Sequence, residues 1–148
     1  MLIHVTHQLN LPSIRMHGIV SPREAASLHS VRVLGSEGSN IDAVQLFDLS
    51  GAEGVNVHNV VEGIISEACT NLGTHAEAEL QVLLVDRMKI RTTYFSTPAI
   101  VASQSRKNNW RSYPHYEAWY SRSIPPSDIL NNIPFAEWAA LFDHETED

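Results

Sequence analysis

Two periods of apolar and polar positions run along this chain, and they predict its elements. Residues 2–6 (LIHVT) are rich in β-formers and predict an opening strand. A short helix is expected over 11–17, with Asn10 as its cap, Pro12 in its first turn and Gly18 at its end. Residues 21–42 carry Gly35, Gly38, several serines and scattered charge, which predicts a long surface loop of the functional or mobile kind. AVQLFDL (43–49) is a second strand. Val57, Val60, Val61, Ile64, Ile65 and Ala68 recur at three- and four-residue spacing, so 57–69 is an amphipathic helix with one buried stripe. ELQVLLVD (79–86) is nearly continuous in apolar residues and predicts a strand in a central position.

Beyond it, TTYFS (92–96) is a strand, followed by a short helix from Pro98 through Ser103 and a polar, aromatic loop over 104–115. YEAWYSRSI (116–124) alternates as a strand, ended by Pro125 and Pro126, and SDIL starts a helical turn. Phe135, Trp138, Ala139 and Phe142 form one face of a closing helix, which runs into an acidic tail. Strands and helices in this order give an α+β fold and not a regular βαβ alternation.

Composition narrows the class. The 148 residues, 43% hydrophobic, suit a single domain over 1–148. No apolar run approaches the ~20 residues of a membrane helix. The opening MLIHVTHQLN lacks the basic and apolar regions of a secretory signal. Cys69 is the only cysteine, which excludes an intrachain disulfide and suits a reducing, cytoplasmic setting. Phosphate loops, dinucleotide glycine fingerprints and the nucleophile elbow are absent. Eight histidines invite a metal, but no Cys or His pair has closed-site spacing, and His4 and His7 project to opposite faces of a strand, so none is expected.

The net charge of −7 argues against a general nucleic-acid coat, yet the charge is unevenly distributed. Arg87, Lys89, Arg91, Arg106, Lys107, Arg111 and Arg122 fall within 87–122, where Glu117 is the only acid. Such a segment can steer an anionic ligand despite an acidic whole, or be a solvated face balanced by neighbouring acids.

The opening IHVTHQLNLPSIRMHGIVS resembles the start of the DarT-type DNA ADP-ribosyltransferases. They share a His-x-Thr-His strand, an Asn-Leu-Pro-Ser-Ile helix start and a Gly-Ile helix end, here His4, Thr6, His7, Asn10 to Ile14, Gly18 and Ile19. LQVLLVDRMKIRTTYFSTPAIVAS and YEAWYSRSIPPSDI resemble two later family segments in the same order. The three segments together make up 57 of the 148 residues. The resemblance implies an ADP-ribosyltransferase-like fold, with a split mixed or antiparallel sheet flanked by short helices. It also implies NAD as co-substrate, no metal, single-stranded DNA as acceptor and an antitoxin hydrolase of the macrodomain type as partner.

Residue by residue, the resemblance makes Glu117 the catalytic glutamate and His4 a ligand of an NAD ribose. Thr6 and Asn10 stand beside His4, and Phe47 near the nicotinamide. Arg32 engages the pyrophosphate, with Arg23 and Arg15 as alternatives. His115 stands where the family often has a glutamine, close to the acceptor. His4 and Glu117 would then converge on one sugar.

The chemistry suits these residue types. Breaking the nicotinamide–ribose bond develops an oxocarbenium-like cation, which a carboxylate stabilises more in the transition state than in the ground state. An arginine meets pyrophosphate with paired hydrogen bonds. Arg106, Lys107 and Arg111, interleaved with Trp110 and Tyr113 and followed by His115, have the cation-and-ring pattern that holds single strands. Two other readings stay open: the same NAD chemistry on protein, RNA or water, and a catalytically silent binding module.

Overall fold

The computed structural model describes residues 1–28, 40–50, 55–72, 77–110 and 116–142. In chain order these form β1 (Leu2–His7), α1 (Leu11–His17), α2 (Pro22–Leu28), β2 (Val44–Asp48), α3 (Val55–Leu72) and β3 (Leu80–Val85). There follow β4 (Phe95–Ser96), α4 (Pro98–Asn108), β5 (Glu117–Tyr120), β6 (Ile129–Pro134) and α5 (Phe135–Ala140). The fold is α+β, built on one six-stranded sheet in the order β4-β5-β2-β1-β3-β6. Every ladder is antiparallel, so the sheet is not mixed. Nor are all the flanking helices short, since α3 runs for 18 residues.

Alternation along the strands fills both faces. On one face Ile3, Phe47, Leu80 and Val82 pack under the α3 stripe of Val60, Val61 and Ile64 and under Phe135 and Trp138 of α5. On the other, Leu2, Val44, Leu46, Leu83, Val85, Ala118 and Tyr120 meet Ile14 of α1 together with Ile19 and Ile124. Phe135 and Trp138 are fully enclosed and meet edge to face at 5.5 Å; truncating either to alanine costs about 3–5 kcal/mol.

Several predicted elements shift. Residues 22–28 are helix and not loop, because Ser21-Pro-Arg-Glu24 is a capping box: the Glu24 amide donates to Ser21 Oγ at 3.4 Å. Asn10 stands at the N-cap position of α1, but its side chain makes no capping hydrogen bond; it donates instead to Thr6 Oγ1 at 3.2 Å. β3 is interior but fifth of six, while β2 and β1 hold the centre. Residues 92–94 form a 3-10 turn that leaves only Phe95–Ser96 as strand. The helix from Pro98 runs past Ser103 to Asn108 and ends at Asn109 in the left-handed region (φ 57°), so Arg106 and Lys107 are helical. After one 3-10 turn at Pro126–Asp128, the chain forms the edge strand β6 in place of a helical start. The acidic tail from 143 lies outside the described residues.

Gly18 closes α1 with φ 80° and its amide on the Ile14 carbonyl at 2.7 Å. A Cβ there would stand 2.1 Å from the Ile124 carbonyl oxygen, so glycine is required both for conformation and for space. The close approach permits the next contact, an antiparallel bridge between Ile19 and Ile124 with two hydrogen bonds of 2.8 Å.

Candidate active site

The sheet is not uniformly knitted. β1 and β3 pair at every position from Ile3↔Leu84 to His7↔Leu80. β1 and β2 pair only at Leu2↔Asp48 and Ile3↔Phe47. Pairing across the centre therefore stops one residue before His4. Here the His4 ring takes over from the ladder: Nδ1 lies 2.7 Å from the Gln45 carbonyl oxygen. A carbonyl only accepts, so Nδ1 carries the proton and Nε2 of the neutral ring is an acceptor.

His7, three residues on, shows the opposite arrangement. Its Nδ1 accepts from the Leu9 amide at 3.1 Å, which leaves Nε2–H to donate to Glu79 at 2.8 Å. The first histidine bridges a gap in the sheet; the second is a cap, satisfied at both nitrogens.

Glu117 opens β5 directly opposite Phe47, which in turn stands opposite Ile3. These three share the face covered by α3 and α5, whereas alternation gives His4 and Thr6 the α1 face. Two strand spacings, ~10 Å, separate the His4 and Glu117 strands, with β2 between them. His4 thus borders the opening between β1 and β2, while Glu117 lies one strand beyond on the other face, and the two do not close on one sugar from one face.

Glu117 is 1% exposed, and its Oε2 accepts from the indole Nε1 of Trp119 at 2.8 Å. Residues i and i+2 of a strand share a face, so the Glu-x-Trp spacing was the available signal for this partner. Trp119 is wedged between Ala43, Val101 of α4 and Trp110, whose ring meets it edge to face at 5.8 Å.

A cleft of about 710 Å³ is lined by Asp48 and Ser50, by Thr97, by Pro98, Ala99, Ala102 and Arg106 of α4, and by Tyr116, the residue before Glu117, which is not itself in the lining. Its volume is within the range of small-molecule sites.

The remaining sequence candidates fall as follows. Phe47 is buried beneath α3, in register with Glu117. Thr6 and Asn10 are buried and bonded to each other, joining the end of β1 to the start of α1. Arg106 reaches the cleft, and Lys107 follows it in the last turn of α4. Trp110 packs inward on Trp119 and is not an open stacking platform. Arg32, Arg111, Tyr113 and His115 lie outside the described residues.

Among the described residues the basic segment does not form one patch. Arg87 is held by Asp48, and Arg122 stands over the Tyr94 ring at 4.3 Å and donates to its hydroxyl. Arg23, the alternative pyrophosphate ligand, is paired with Asp42 at 2.6 Å. Among the described residues no group of three His, Cys, Asp or Glu side chains is arranged to hold a metal, and no helix is long and apolar enough to cross a membrane.

No protein-family model, curated protein or solved structure matches the chain.

Proposed function

We propose that this chain is an NAD-dependent ADP-ribosyltransferase acting at the opening between β1 and β2. The observation that carries the reading is the interrupted ladder after Ile3↔Phe47, with His4 on one side and Glu117 one strand beyond on the other. A split sheet is what the sequence resemblance implies, and the break begins at His4, one of the two residues that the resemblance singles out.

In this reading an extended dinucleotide spans the opening. His4 Nε2 accepts from a ribose hydroxyl, and the Glu117 carboxylate accepts from a hydroxyl of the nicotinamide ribose. The C1′–N bond breaks with its electron pair leaving on nicotinamide, while Glu117 stabilises the positive charge on the sugar. A nucleophile of the acceptor then bonds to C1′ and loses a proton. The acceptor proposed is a base of single-stranded DNA, its phosphate met by Arg106 in the neighbouring cleft and its proton taken by His115. A macrodomain-type hydrolase would reverse the modification, and the cytoplasm is the proposed setting.

Burial of Glu117 sets a condition: whatever covers the carboxylate must move before a ribose reaches it. The same burial favours a second reading, a binding module that keeps the fold without turnover.

The two separate in one assay. Wild-type protein with NAD should release nicotinamide, and Glu117→Gln should not. Labelled NAD with single-stranded DNA, RNA, protein extract or buffer alone identifies the acceptor. No release under any of these conditions overturns the enzyme reading.

A further inference from the structure

We infer that Trp119 is a positioning residue for the Glu117 carboxylate, which fixes the orientation in which that carboxylate meets substrate. The inference rests on the functional reading above for its kinetic consequence, and on geometry alone for the contact.

The geometry has three parts. Trp119 Nε1 donates to Glu117 Oε2 at 2.8 Å, within the short range of hydrogen bonds to charged acceptors. Both side chains rise from the same face of one four-residue strand, two residues apart, so the bond needs no long-range alignment. The indole itself is 4% exposed and cannot swing away. Val101 and Ala43 pack against it, and Trp110 meets its ring at an interplanar angle of 66°.

A buried carboxylate without a donor favours its neutral form. The indole supplies a donor that has no proton to lose and no charge to screen, and it restrains the rotation of the carboxylate. Trp110 follows directly on α4, whose Asn109 turn sends the Trp110 amide back to the Ser105 carbonyl at 2.8 Å. The end of α4 thereby buttresses the ring that holds the acid.

Trp119→Phe keeps the aromatic wedge and removes only the N–H. We expect an unchanged far-ultraviolet spectrum, a fall in kcat for nicotinamide release of about 10- to 100-fold and a KM for NAD within about 3-fold of wild type. In Glu117→Gln, adding Trp119→Phe should cost nothing further, because the two act as one unit.

A second measurement does not depend on turnover. The protein has three tryptophans. The indole resonance absent from Trp119→Phe identifies Trp119 in an amide–indole correlation spectrum. In Glu117→Gln that resonance should move upfield, and further than those of Trp110 and Trp138.

Wild-type kcat in Trp119→Phe, or a Trp119 resonance that is indifferent to Glu117→Gln, overturns the inference. If the wild-type protein releases no nicotinamide, the functional reading fails. The resonance then still decides whether the indole holds the acid.

Discussion

The two halves of the sheet are built to different standards. In β6-β3-β1 the ladders are long: β1 pairs with β3 without a break, and β3 pairs with β6 from Gln81↔Pro134 to Val85↔Ile129 with a single irregularity at Leu84/Val85. In β2-β5-β4 the strands are short, and the outermost contributes only Phe95 and Ser96. The halves join at one end through Leu2↔Asp48, Ile3↔Phe47 and the Leu49 amide on the Met1 carbonyl at 2.9 Å. On the α1 side the Ile19–Ile124 bridge ties the segment after α1 to the segment after β5. The difference teaches that the first half is scaffold, while the second is hung on it beside an opening where side chains replace backbone pairing.

Four experiments break or sharpen that contrast. Glu117→Gln, in the short half, should lower nicotinamide release by at least about 10²–10³-fold and leave the melting temperature nearly unchanged. Such a result separates chemistry from scaffold.

Gly18→Ala attacks the tie between α1 and the segment after β5. Positive φ and the Ile124 carbonyl both oppose a methyl group, so unfolding free energy should fall by about 3 kcal/mol in a denaturant melt. A change under ~0.5 kcal/mol would mean that the short half does not need this tie.

His4→Ala removes the side-chain bridge across the opening. We expect a loss of about 1 kcal/mol and a raised KM for NAD. Amide exchange should speed up in β2 near Gln45 and stay unchanged in β3.

The smallest effect belongs to Arg23 and Asp42, both fully exposed. The Arg23 hydrogen bond holds the Asp42 carboxyl below its usual range. A lowered carboxyl contributes stability above its unfolded pKa and loses it as pH falls through the folded one. Asp42→Asn should therefore change nothing at pH 2 and barely lower the melting temperature at pH 7.

Much of this was legible in the chain. The α3 stripe, the closing helix and the strands β1, β2, β3 and β5 follow from period and apolar content, and burial decided them. β6 was illegible because Asn131, Asn132 and Pro134 are poor β-formers. An edge strand open to solvent tolerates them, since one side makes no ladder. α2 was hidden by its serines, although its capping box was present. For the candidate site, His4 and Glu117 stood out in sequence, but the place of β2 between their strands did not, since pairing across the sheet is not a local property. Trp110 misled for the opposite reason: a ring in a polar segment reads as exposed, and only the fold reveals Trp119 beneath it.

The central place of β1 has a consequence for how the chain is made. Ile3 must wait for Phe47 to be synthesised before its first partner exists, and for Leu84 before its second. Contacts so distant in sequence make for slow closure. Of the interior strands β1 nonetheless has both neighbours first, because β2 waits for β5 and β3 waits for β6; until Leu84 is made, the apolar Leu2, Ile3 and Val5 lack half their cover.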